Sequence, residues 1–179
     1  LPLLVVDNQI EIWQSNAISR YIAKITNNIP DNKEMAAYAD SIFESAHDLF
    51  FPLNPTINVF VGENHLNHKK NLIDDILPKA FNNFEKLLQK YEGNFFLGDQ
   101  VFYCDFNVYH HLSLSLLLEK TVLDDYPKLK KFMIHFEALE GIKSYLDSRA
   151  ELIGIGTWPK VIIDGKEYTS GTNPSYKYL

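Results

Sequence analysis

Two adjacent polar residues, Gln14 and Ser15, stand directly before a run in which Ala17, Ile18, Tyr21, Ile22 and Ile25 recur at helical spacing. A helix N-terminus presents unpaired backbone N–H groups and the positive end of the helix dipole, so a serine there can hold a carboxylate with hydroxyl and backbone together. Gln14 adds amide donors and an acceptor for an ammonium or carboxylate group. The same spacing also suits a serine that only caps its helix, and the residues of this segment alone leave both readings open.

Other residues capable of chemistry carry less. Of the six histidines, His65 and His68 lie three apart and can share a helix face, but no neighbouring Glu or Cys completes a ligand set. His110 and His111 are adjacent and point in different directions on a helix. No metal site is predicted. Cys104, the single cysteine, has no evident base beside it and reads as a packing residue. Its solitude excludes an internal disulfide and suits a reducing compartment, with the cytoplasm as the expected location. Neither a phosphate-cradling glycine loop nor a Ser-His-Asp arrangement is evident.

With a formal net charge of -6, the chain offers no general attraction to nucleic-acid phosphates or anionic lipid, and neither partner is expected. The pairs Lys69-Lys70 and Lys130-Lys131 read as solvated helix faces. No apolar run approaches the roughly 20 residues needed to span a bilayer. A hydrophobic fraction of 46% over 179 residues is enough for a packed core and argues against disorder.

The elements that must position Gln14 and Ser15 begin with a hairpin over residues 3 to 12, turning at Asp7-Asn8. The helix after it ends at Asn27-Asn28-Ile29-Pro30, a linker. Helical stripes follow. One runs from Met35 to Phe50 with a break expected near Asn54-Pro55. A second runs from Leu72 to Leu88, with Pro78 kinking it or marking a late start. A segment from Asp105 to about Leu118 is apolar on nearly every side, as expected of a helix at the centre of a bundle. Two more stripes use Leu129 to Leu139 and Ile142 to Leu146. The tail changes character from Gly154, and residues 160 to 168 resemble a hairpin around Asp164-Gly165.

Leu1-Pro2-Leu3-Leu4-Val5-Val6-Asp7, followed by Gln14-Ser15-Asn16-Ala17-Ile18-Ser19-Arg20-Tyr21-Ile22-Ala23, resembles the second half of the thioredoxin-like domain of cytosolic glutathione transferases. Residues 39 to 48 resemble the first helix of the all-helical domain in the mu and sigma classes. Residues 94 to 106 resemble the entry into that domain's buried central helix. The likeness continues through residues 136 to 145 and extends to about Leu152.

The resemblance implies an α+β chain: a partial thioredoxin-like, glutathione-binding domain over 1–29, an all-helical domain over 30–152, and an extension over 153–179. The strand-helix-strand unit that begins the family's fold, with its catalytic tyrosine, is expected upstream of Pro2, so no catalytic residue is named. Glutathione is the implied co-substrate, an electrophilic small molecule the implied acceptor, and a homodimer the implied assembly. The implied glutathione contacts are Gln14, Ser15, the backbone of Leu1 turned by a cis bond to Pro2, and Asp48, reaching across a two-fold axis. By residue type alone, Pro2 also suits an ordinary strand start and Asp48 a solvated helix face. Phe50, Phe51, Pro52, Leu53 and Phe60 are candidates for an electrophile pocket, though aromatic residues on helices more often form core. Asp105 is given a folding role, with half of the expected reciprocal cap lost because Phe102 stands where the family places Ser or Thr. The alternative function is a non-catalytic, glutathione transferase-like binding or scaffold protein.

Overall fold

The computed structural model describes residues 2–169. Strands β1 (Leu3–Val6) and β2 (Ile10–Trp13) form the expected antiparallel hairpin, with Leu3 opposite Trp13 and Val6 opposite Ile10. Asp7 and Asn8 both take positive φ, 51° and 55°, which short polar side chains tolerate and which matches the turn to the twist of the strands. Helix α1 (Ser15–Ile25) follows at once and packs against β2. The expected cis bond at Pro2 involves Leu1, which lies outside the described residues.

The helical domain holds α2 (Lys33–His47), α3 (Phe50–Asn58), α4 (Gly62–Asn71), α5 (Leu77–Leu87), α6 (Tyr103–Leu118), α7 (Pro127–Glu137) and α8 (Ile142–Ser148). Asn32 caps α2 by accepting from the Met35 amide at 2.8 Å. The break expected near Asn54-Pro55 falls earlier, at Asp48-Leu49, and α3 runs through Pro55. Proline removes one N–H, but Val59 and Phe60 both donate to the Pro55 carbonyl and keep the turn closed behind it. Likewise the second stripe starts ten residues sooner than its apolar pattern, because α4 is largely polar and joins α5 through a wide π-helical turn over Leu72–Ile76. That wide turn lies directly before Pro78, whose ring would clash with the carbonyl four residues back in a regular helix.

Helix α6 is the centre of the bundle, as its sequence predicts. Tyr103, Cys104, Val108, Tyr109, Leu112 and Leu118 are buried on it, and its most extensive partner is α2. Phe84, Phe96, Phe132 and Phe136 are buried as a chain of edge-on or tilted rings, and the buried Phe81 meets Tyr126 edge-on. Asp105, fully buried, accepts from the amides of Phe102 at 2.8 Å and Phe96 at 3.1 Å. The missing Ser or Thr is replaced by main chain: the Asp105 amide donates to the Phe102 carbonyl at 3.0 Å.

Beyond α8, strands β3 (Glu151–Ile153), β4 (Lys160–Ile163) and β5 (Lys166–Thr169) form an antiparallel meander. The β4–β5 turn is the expected Asp164-Gly165 pair, both at positive φ. The meander folds back on the helical domain through an isolated bridge between Val61 and Gly156. The Gly62 amide donates to the Gly156 carbonyl there at 2.8 Å. Residues 170–179, the rest of the aromatic tail, lie outside the described residues.

Candidate functional site

The first backbone bond of α1 runs from the Ile18 amide to the Gln14 carbonyl, 3.0 Å, so the amides of Ser15, Asn16 and Ala17 have no acceptor within the helix. Gln14, not Ser15, occupies the N-cap position, and its side chain caps nothing. Ser15 is the first helical residue, exposed, with its hydroxyl making no hydrogen bond among the described residues. Gln14 is held at φ 74°, ψ 118°, a conformation that L-residues with a side chain rarely adopt. Strain of this kind, about 1–3 kcal/mol, persists only where the surroundings impose it. It presents Gln14 and the free amides of α1 on one exposed corner.

That corner opens onto a cleft of about 510 Å3 between α1, α2 and α6. Ile22, Ala23, Phe43, Phe50 and Phe106 give it apolar walls, while Ser15, His47, Asn107 and His110 supply polar points. Of the aromatic residues considered for a pocket, Phe50 borders the cleft and stacks on His47, with ring centres 5.4 Å apart. Leu53 is core, Phe51 faces solvent and Phe60 packs on His68 at 4.2 Å. Asp48 is exposed at the end of α2, next in sequence to His47 but not on the cleft wall. No described residue of the β3–β5 meander borders the cleft.

A polar lock holds α1 against the helical domain. The Arg20 Nε donates to Asp40 at 2.8 Å, a second guanidinium nitrogen pairs with Glu44, and the guanidinium carbon lies 5.1 Å from the centre of the Phe43 ring. Tyr103 donates to the same Asp40 at 2.6 Å. Partial burial pulls the Asp40 pKa up, but hydrogen bonds from Arg20 and Tyr103 and the Arg20 charge outweigh it, leaving it below the usual range. Burial and the bond to Asp40 raise the Tyr103 pKa. The Tyr103 amide adds a bond to the Asn28 carbonyl, 3.0 Å, which fixes the linker.

Sequence reasoning missed the histidines of this cleft. His110 and His111 both border it despite being adjacent on α6, and the His47 and His111 rings stand edge-on with centres 6.4 Å apart. Burial drives the His111 pKa down to about 4, aided by the nearby imidazoles and opposed by the bond between its Nδ1 and the Asn107 carbonyl, 2.9 Å. At neutral pH His111 is therefore an uncharged ring. Burial lowers His110 as well, with the Arg149 charge adding to it.

The other candidates are structural. Burial raises the Cys104 thiol well above its ordinary pKa, with the Asp105 charge adding to the effect. Such a thiol is a poor nucleophile. His65 is buried with its Nδ1 2.8 Å from the Thr56 carbonyl. Among the described residues no cluster of three His, Cys, Asp or Glu side chains is placed to hold a metal ion. No helix among them is long and apolar enough to cross a membrane.

The family description "Glutathione S-transferase, C-terminal domain" matches residues 47–149, more than half of the chain. The chain belongs to the glutathione S-transferase family. A Caenorhabditis elegans protein, "Glutathione S-transferase P", is 31% identical over 154 residues, covering 85% of this chain and 72% of that one. "Glutathione S-transferase Mu 5" of Mus musculus is 34% identical over 148 residues, 83% of this chain and 63% of its own length. In structure the chain is similar to the Pi-class glutathione S-transferase of Onchocerca volvulus, with a TM-score of 0.74 at 30% identity. That match covers 83% of this chain and 70% of the other. The chain thus spans roughly two thirds of the length of these transferases. Their names include both P and Mu proteins, so the likeness does not single out one class.

Proposed function

We propose that this chain binds glutathione at the N-terminus of α1 and serves as a glutathione transferase, joining the glutathione sulfur to an apolar electrophile held in the cleft between α1, α2 and α6. The observation that carries the reading is the juxtaposition of Ser15, with free hydroxyl and free helix-end amides, and the mouth of an apolar cleft of about 510 Å3. A helix start of this kind suits a peptide carboxylate. The cleft walls suit an apolar reactant, and the lock through Arg20, Asp40 and Tyr103 keeps the two at a fixed spacing.

Gln14 completes the peptide site in this reading, together with Leu1, which lies outside the described residues. Asp48, exposed at the end of α2, meets the glutathione ammonium of a second subunit in a homodimer. The thiolate attacks an electrophilic carbon, forming a C–S bond as the leaving group departs with its electron pair. Glutathione is the co-substrate, no metal takes part, and the cytoplasm, where glutathione keeps thiols reduced, is the proposed location.

One observation favours the second reading, a glutathione transferase-like binding protein. The one phenol among the described residues of the cleft wall, Tyr103, donates its hydrogen bond to Asp40 and is not free to hydrogen-bond a thiolate. Two measurements separate the readings. Calorimetric titration with glutathione should show binding that Ser15→Ala weakens about tenfold, the loss of roughly 1.4 kcal/mol. Ultraviolet absorbance of the bound thiolate should then report whether the thiol pKa falls. Binding without a fall, measured with the strand-helix-strand unit expected upstream of Pro2 joined to the chain, would favour the binding protein, and an absence of binding would refute the site altogether.

A further inference from the structure

A second cavity, of about 300 Å3, shares no lining residue with the cleft and lies between the end of α5, the loop after it and one face of α7. Its lining combines Lys128, Lys131 and His135 with Asn94 and the ring of Phe132. The three basic residues stand at helical spacing on α7 and converge on one space. In a chain with a net charge of -6 this is a local reversal of sign.

The neighbouring groups offset that positive charge only in part. Among the described residues neither Lys128 nor Lys131 forms an ion pair, whereas Lys130, between them, pairs with Asp124 at 2.6 Å. The start of α7 is satisfied by Glu85, which accepts from the Lys128 and Leu129 amides at 2.8 and 2.9 Å. Glu85 therefore serves the main chain, and the lysine ammonium groups remain available. Asp99 is engaged by the Asn94 side chain at 3.3 Å, which leaves Glu92 as the one carboxylate on the cavity wall. His135 carries an unmet demand of its own, because its Nδ1 is buried without a hydrogen-bond partner among the described residues.

The wall opposite α7 is rigid. Gly93 has φ 138°, and a side chain there would place its Cβ 2.2 Å from the Gly98 carbonyl carbon. The Phe95 amide closes the loop by donating to the Gly98 carbonyl at 2.8 Å. The carbonyls at the end of α5 are occupied as well, Lys86 by the Gln89 amide and Leu87 by the Lys90 amide. The cavity is thus preformed, basic on one side and aromatic at its base.

We propose that this cavity is a second ligand site, distinct from the cleft at α1, that takes a small organic anion. A carboxylate or phosphate lies against Lys128 and Lys131, and an apolar body lies against Phe132. This assignment does not depend on the function proposed for the cleft.

The test is a nuclear magnetic resonance titration of the 15N-labelled full chain, with benzoate in one series and inorganic phosphate in another, at constant ionic strength set by sodium chloride. Saturable shifts of the Gly93, Asn94 and Lys131 amides are expected. The double variant Lys128→Ala, Lys131→Ala should weaken binding at least tenfold with an unchanged circular dichroism spectrum, since both side chains are exposed. Ser15→Ala should leave it unaltered. Saturation by benzoate alone supports a site for carboxylates with an apolar body, and saturation by phosphate supports one that reads the anionic group itself. Shifts that fail to saturate in both series, or that survive the double variant unchanged, overturn the proposal.

Discussion

The Tyr103 hydroxyl donates to the Asp40 carboxylate at 2.6 Å across a separation of 63 residues, and through Asp40 it reaches Arg20 on α1. The position of α1 is therefore decided partly by a carboxylate on α2 and a phenol on α6. Tyr103→Phe should destabilise the chain by about 1–2 kcal/mol, measured by denaturant unfolding. Asp40 has a lowered pKa in the folded state. Its contribution is present above its ordinary value of 3.8 and fades as pH falls through the lower folded value. The stability difference between the parent and Asp40→Asn should accordingly shrink as pH is lowered below about 4. A difference constant from pH 7 to pH 3 would contradict this account.

Gln14 holds a strained conformation beside the free amides of α1. Gln14→Gly should relieve the strain and raise stability by about 1 kcal/mol, after allowing for the greater freedom of glycine in the unfolded chain. Glutathione affinity should fall in the same variant. Thermal unfolding and calorimetric titration, run side by side, would reveal this exchange of stability for binding.

Asp105 runs opposite to Asp40. Burial pushes its pKa up to about 6, against backbone amides of Phe102, Phe96 and Asp105 itself that pull it down. A raised carboxyl pKa means that the folded state holds the proton more tightly than the unfolded state, so this contribution is complete at low pH and is lost as pH rises from about 4 to beyond 6. The carboxyl carbon should titrate near 6 by 13C spectroscopy. Asp105→Ala leaves two buried amides unpaired and should cost roughly 2–6 kcal/mol.

Gly156 lies so close to His65 that an added Cβ would sit 2.5 Å from the ring Cδ2, and its φ is 79°. Gly156→Ala should cost about 2 kcal/mol and release the C-terminal meander from α4. Hydrogen exchange at the Gly62 amide, now bonded to the Gly156 carbonyl, should accelerate while exchange in α6 is unaffected.

Local periodicity and turn chemistry were legible in the residues themselves. Asp7-Asn8 and Asp164-Gly165 placed two hairpins, the all-round apolar run after Asp105 placed the central helix, and the Gln14-Ser15 pair marked the start of α1. Asp105 was legible too, because helix-start carboxylates act on amides nearby in sequence. Helix continuity was less so: a proline removes one hydrogen bond, and whether the chain breaks there depends on what holds it on either side. Pro55 and Pro78 both stayed within helical segments because neighbouring turns adjusted. The cleft was decided only by tertiary structure. His47, His110 and His111 come together because α2 and α6 pack along their lengths, and the Arg20–Asp40–Tyr103 lock joins three segments that share no local pattern. Spacing along one chain fixes which residues share a face; which faces meet depends on contacts between residues tens of positions apart, and these form only once the core excludes water.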